Sequence, residues 1–321
     1  MAQTLSIILA QYYPDKTQLR HTLDSLLMQD TYDFELIIAD DGSPEDYWDD
    51  TRAYLAARGF TNVKLSKNKV NQGTVINTLH AVELAKGRWI YGVSPGDYVY
   101  DASTIRWVLE MLRKDAPQVA FGKSAYYRQE SDGTLVQLPG ETPFDRTPYE
   151  AARYDSKAIR RNLLLYDDGI SGVEMVYERG IFLEALQKMQ GRVRFAEDFA
   201  TRLFAVQGVP IRCYDRLLCW YEYGTGVSTN EKARARMEAD WRAMLTLMRE
   251  LYPQDRLVRL AWEYYHNDRH KSRLVRGLIG RLVVPQNCAF KKAQHSWQPP
   301  INGDMAELKK IYAYAEEDTH A

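Results

Sequence analysis

Residues 5–43, LSIILAQYYPDKTQLRHTLDSLLMQDTYDFELIIADDGS, decide the architecture. Leu5 to Ala10 is a short, unbroken apolar run, the pattern of a strand covered on both faces. Pro14 and Asp15 stand before a segment in which Leu19, Leu23, Leu26 and Leu27 recur at helical spacing. Phe34 to Ala39 (FELIIA) repeats the buried-strand pattern, and Asp40-Asp41-Gly42-Ser43 stops it abruptly. Strand, helix and strand in so short a span form the opening unit of a parallel sheet with right-handed crossovers.

The alternation continues outward from that unit. A polar helix runs to about Arg58, Asn62 to Ser66 reads as a third strand, and Asn71-Gln72-Gly73 opens a helix through Ala85. Arg88 to Val93 is a fourth strand, which runs into Ser94-Pro95-Gly96-Asp97. The fold class is therefore α/β, with a mostly parallel, Rossmann-like central sheet and flanking helices. From about residue 115 to 225 the pattern is mixed. Short strands are expected at Val119–Gly122, Leu135–Leu138 and Ile211–Tyr214, with helices over Arg179–Met189 and from Glu197. Beyond Asn230 the chain reads as helix, with Met237, Trp241, Met244, Leu245 and Met248 on one face. The expected division is residues 1–230 as one α/β domain and 231–321 as a helical C-terminal extension.

In parallel sheets, ligands bind beyond the carboxyl ends of the strands. Gln11-Tyr12, Asp40-Asp41-Gly42-Ser43 and Ser94-Pro95-Gly96-Asp97 all fall on that rim. Composition narrows the classes further. The net charge of −1 gives no global field toward nucleic acid, and none is expected as a partner. Three cysteines without a CxxC pair suit a reducing compartment. The N-terminal segment has neither the basic flank nor the apolar length of a signal peptide or anchor, so a cytoplasmic protein is expected. The 22 Tyr and 7 Trp suit a sugar-binding cleft and equally an aromatic core.

Each rim segment has a chemical and a plain reading. Asp40 and Asp41 can accept hydrogen bonds from a nucleobase imide or ribose hydroxyls, or simply cap a helix. Asn71-Gln72-Gly73 reads first as a capped helix start and second as backbone N–H groups facing a diphosphate. Asp97 is the one carboxylate of its Pro-Gly turn and a candidate ligand for a divalent cation, Mn2+ or Mg2+. Glu197 and Asp198, set between Phe195 and Phe199, can supply a carboxylate that takes a proton from an attacking hydroxyl.

Taken together, LSIILAQYYPD, FELIIADDGSPED, NQG, AKGRWIYG and FAEDFATRLFAVQGVPIRCYD resemble family 2 glycosyltransferases of the GT-A fold, over about residues 4 to 229. The resemblance implies an inverting transferase that uses a nucleotide-sugar donor, uridine first. Its acceptor would be a glycan or lipid-linked saccharide of cell-surface polysaccharide synthesis. Ala10 and Tyr12 would flank the base, with Gln11 between them. Asp41 would contact the base with Asp40 beside it, and Asn71 and Gly73 would lie near ribose and diphosphate. Asp97 would be the surviving metal-binding acid, and Asp198 the base with Glu197 adjacent. The chain departs from the family where Asp-x-Asp-Asp is usual, having Ser94, Pro95 and Gly96 before Asp97. Either Asp97 suffices for a cation, or a basic residue compensates.

Residues 269–292 carry seven Lys or Arg and no acid, interleaved with Leu274, Val275, Leu278, Ile279 and Leu282. Peripheral contact with the inner membrane face and packing on protein, including a homodimer interface, stand level for this segment. His266 and His270 are expected at the surface, and Ser228 is a weak acceptor-side candidate. The competing class is a GT-A-fold binding or scaffold protein that has lost catalysis. A nucleotidyltransferase ranks last, because Gln11-Tyr12-Tyr13-Pro14 is no Gly-rich basic loop.

Overall fold

The structure is a computed structural model that describes residues 4–224, 231–266 and 285–317. Strand β1 (Leu5–Gln11) lies at the centre of the parallel half of the sheet. It pairs with β2 (Phe34–Asp40) on one side and β4 (Trp89–Val93) on the other, and β3 (Val63–Lys67) extends β2. The crossovers are α1 (Lys16–Leu27), α2 (Trp48–Ala57) and α3 (Thr74–Leu84). Side chains alternate across a strand, and here both directions are buried. Ile8, Ile37 and Ala39 join Val75, Leu79 and Val82 on one face, whereas Leu5, Ile7, Leu9, Leu36 and Ile38 meet Leu19, Leu23 and Leu26 on the other. That double burial is why these strands read as unbroken apolar runs.

The second half of the sheet is mixed. It contains β5 (Asp97–Val99), β6 (Val119–Gln129), β7 (Leu135–Leu138), β8 (Met175–Glu178) and β9 (Ile211–Glu222), in the overall order β3-β2-β1-β4-β8-β6-β9-β5 with β7 on β6. β8 runs antiparallel between β4 and β6. Helix α4 (Thr104–Asp115) follows β5, α5 (Ser156–Arg161) follows β7, α6 (Arg179–Met189) follows β8, and α7 (Ala200–Gln207) precedes β9.

The chain after residue 230 folds back onto the same body. From α8 (Glu231–Leu251) and α9 (Arg256–His266), Trp241, Met244, Leu245, Met248, Val258 and Ala261 are buried in one cluster with Val75, Phe199 and Leu203. Helices α10 (Pro285–Ser296) and α11 (Met305–Glu317) follow, and Leu308 and Ile311 of α11 close a cluster around Tyr98, Tyr127 and Trp220. His266, expected at the surface, is half-buried because its ring stacks on Trp262 at 4.5 Å. His270, Ser228 and most of the basic segment, residues 269–284, lie outside the described residues. Among the described residues no helix is long and apolar enough to cross a membrane.

Candidate active site

At the carboxyl ends of β1, β2 and β4 the chain leaves a cleft of about 680 Å³. Ala10, Gln11, Tyr12, Asp41, Asn71, Gly73 and Glu197, all singled out from sequence, line it. A smaller cavity of about 60 Å³ adjoins it through the shared residues Ala10, Ser94 and Glu197, and Asp97 lies on its wall. Chain segments distant in number therefore meet along one rim, as the ends of a parallel sheet require.

Asp41 is buried, and protein donors already hold its carboxylate. Oδ1 accepts from Asn68 Nδ2 at 2.8 Å and Gln72 N at 2.9 Å, and Oδ2 accepts from Gly73 N at 2.7 Å. Ionised acceptors make strong bonds of this kind, so Asp41 pins the Asn71–Gly73 loop to the end of β2. This corrects one expectation. The N–H groups of Gln72 and Gly73 point at Asp41, and Val75 N donates to Arg194 O at 3.1 Å, so none of these three is free for a diphosphate. Asp40 sits beneath the cleft, not on its wall. Its Oδ1 accepts from Ser43 N at 2.6 Å and its Oδ2 from Gln11 Nε2 at 3.3 Å.

Gly73 has φ 93° and ψ 165°, a region that residues with a Cβ avoid. A Cβ there would stand 2.4 Å from both Arg194 O and Arg194 Cγ. The loop before α3 and the Arg194–Phe195 segment thus touch backbone to backbone. Asp240 of α8 fixes the second of these, accepting from Arg194 N at 3.1 Å and from Phe195 N.

Sequence reasoning missed the positive groups of the cleft. Arg194 and Arg236 both line it, their guanidinium carbons 5.0 and 5.3 Å from the centre of the Phe195 ring. Neither belongs to a motif, and Arg236 comes from α8, beyond the expected α/β domain. Their one signal in the sequence was an arginine next to an aromatic just before Glu197-Asp198. Two polar atoms of cleft-lining residues, Gln11 Oε1 and Asn77 Oδ1, are buried and have no partner among the described residues, whereas the Thr74 hydroxyl hydrogen-bonds to Glu197. Such atoms are costly unless a ligand satisfies them.

Glu197 and Asp198 form a short 3-10 turn with Phe199, ahead of α7. Glu197 reaches both cavities, and Asp198 lies one residue behind, its Cβ 3.5 Å from where a side chain on Gly172 would begin. Burial raises the pKa of both acids. The buried Arg202 guanidinium opposes that rise at Asp198, whereas the Asp198 charge adds to it at Glu197. Arg202 is itself held by Asp167 at 2.9 Å and stacked on Phe199 at 4.0 Å.

A cation site is poorly furnished. Asp97 Oδ2 accepts from Ser94 N at 3.0 Å, turned back into its own loop. Burial, with the charges of Glu222 and Glu197, pushes its carboxyl up to about 7. Hard cations take several oxygen ligands, yet among the described residues no group of three or more His, Cys, Asp or Glu could hold a metal ion. The expectation of Mn2+ or Mg2+ on Asp97 therefore meets one carboxylate with one oxygen already engaged.

Residues 6–183, more than half of the chain, match the sequence pattern of Glycosyl transferase family 2; the chain belongs to that family and is a glycosyltransferase. Its fold is similar to solved GT-A structures. The S. aureus TarS 1-349 complex with UDP-GlcNAc has a TM-score of 0.55 at 15% identity, covering 90% of this chain and 79% of that one. TarS 1-349 with UDP gives 0.54 at 14% identity, covering 89% and 78%. The mannosyltransferase PcManGT from Pyrobaculum calidifontis, in complex with GDP-Man and Mn2+, gives 0.55 at 13% identity, covering 98% and 81%. No curated protein sequence matches the chain.

Proposed function

We propose that this glycosyltransferase is inverting and moves a sugar from a nucleotide diphosphate, a UDP-sugar first, to an acceptor hydroxyl. The observation that carries the reading is one cleft whose wall joins Gln11, Tyr12, Asp41, Asn71 and Gly73 to Glu197. Its unpartnered acceptors at Gln11 and Asn77 suit the hydroxyls and imide N–H of a nucleoside. The similar folds bound to UDP, UDP-GlcNAc and GDP-Man support the donor class.

In this reading the acceptor oxygen attacks the anomeric carbon and forms the new C–O bond. The bond to the diphosphate breaks, its electron pair staying on the departing phosphate oxygen, and the acceptor proton passes to a carboxylate. Asp198 takes that proton. Burial raises the Asp198 carboxyl, which suits a proton acceptor, and the Arg202 guanidinium beside it opposes that rise. The resemblance favours a glycan or lipid-linked acceptor at the cytoplasmic face of a membrane, with residues 269–292 the candidate surface contact. A divalent cation on Asp97 is one way to offset the diphosphate charge.

A second reading has a specific observation behind it. Ser94 and Gly96 stand where the family usually carries acids, as in a fold that keeps its donor site and has lost turnover. A thermal-shift panel of UDP-, GDP- and dTDP-sugars with and without Mn2+, followed by an assay for sugar transfer and donor hydrolysis, separates the two. Stabilisation with turnover supports the enzyme, stabilisation without turnover supports the binding protein, and no stabilisation by any nucleotide refutes both.

A further inference from the structure

We propose that Arg194 and Arg236 take the place of a divalent cation in this cleft, their guanidinium groups holding the donor diphosphate so that capture needs no metal. This rests on the nucleotide-sugar reading and adds the groups that neutralise the leaving charge.

Three observations lead to it. The usual anion and cation devices are missing or engaged. Two acids of the metal turn are replaced by Ser94 and Gly96, Asp97 Oδ2 accepts from Ser94 N, and the amides of Gln72 and Gly73 are bound to Asp41. The two arginines, by contrast, are exposed on the cleft wall, and among the described residues neither is ion-paired with a carboxylate. The Arg194 guanidinium bonds only weakly and to uncharged oxygens, Asn71 O and Oδ1, both at 3.3 Å. Finally, the pair is built and not incidental. Both guanidinium groups lie over the same Phe195 ring, and Asp240 anchors the Arg194–Phe195 backbone from the same helix that supplies Arg236.

The chemistry suits the ligand. A guanidinium presents planar, paired N–H donors that match phosphate oxygens, and it stays charged at any working pH. Stacking over an aromatic face orients it without consuming those donors. Two such groups on one wall can grip both phosphates and stabilise the charge that develops as the sugar leaves.

The test is calorimetric titration of UDP and GDP into the full chain, with EDTA and separately with Mn2+. The expected result is binding in EDTA by at least one of the two, with no requirement for Mn2+. Arg194→Gln and Arg236→Gln should each weaken that binding roughly ten- to a hundredfold. Both variants should keep the wild-type melting temperature, and both should lose most of the preference for UDP over UMP. Binding that appears only with Mn2+, or variants that bind UDP like wild type, would overturn the arginine proposal while leaving the donor class intact. Absence of binding in every condition would instead remove the nucleotide-sugar reading, and this proposal with it.

Discussion

Replacing Gly73 by alanine tests whether the two walls of the cleft are locked together by backbone contact. The new Cβ would lie 2.4 Å from Arg194 O, in a backbone conformation of φ 93° and ψ 165°. The conformation alone costs about 1–3 kcal/mol for a residue with a Cβ. Relieving the overlap requires the Arg194 main chain to retreat by roughly an ångström, which breaks Val75 N to Arg194 O and loosens Arg194 N on Asp240. Each lost buried bond adds about 1–1.5 kcal/mol, for a total of roughly 3–6 kcal/mol. Gly59 provides a control that also has a positive φ. Its φ is 78°, but a Cβ there meets nothing within 4 Å, so Gly59→Ala carries the conformational cost without the collision. Denaturant unfolding should show Gly73→Ala losing about 2 kcal/mol more than Gly59→Ala. Only Gly73→Ala should lose the thermal shift given by UDP. Equal losses in the two variants would show that the contact between α3 and the Arg194 segment holds nothing in place.

Asp41→Asn should lower stability by about 2–4 kcal/mol, because its amide N–H groups oppose donors that now bond to a carboxylate, and chemical denaturation reads this directly. For Asp97 the folded chain holds a proton that the unfolded chain releases between the ordinary carboxylate range and about 7. Stability from this group therefore falls as pH rises through that window and stays low above it, by at most about 4 kcal/mol. Asp97→Asn, followed by melting temperature in EDTA, should gain on wild type at pH 8 and little at pH 4. Asp198→Asn should reduce turnover by about a hundredfold or more while nucleotide binding persists, and normal turnover would remove its assignment as base.

The parallel half of the sheet was legible because β1, β2 and β4 are buried on both faces and end in polar turn residues. The mixed half was legible only in part, with β7 and α6 where they were expected. β8 is four residues, MVYE, following directly on a 3-10 turn, too short for a period to show. β6 and β9 run well past the ends expected for them, since Lys123, Asp215 and Arg216 interrupt the apolar runs and the pairing shifts register near Lys123. Of the site, the residues at strand ends were readable from position alone. Asn68, which helps hold Asp41, was hidden because a buried amide has no sequence period. Arg236 and Asp240 were hidden because nothing local on a helix tells that it will close a cleft formed by strands two hundred residues earlier in number.

That closure by α8 has a consequence for how the molecule comes into being. The strands that cradle the proposed nucleoside leave the ribosome first, while the helix that clamps Phe195 and supplies the final arginine leaves it late. A nascent chain halted near residue 230 would carry the rim without its fourth wall. On the arginine proposal, such a chain would lack one of the two groups that hold the diphosphate.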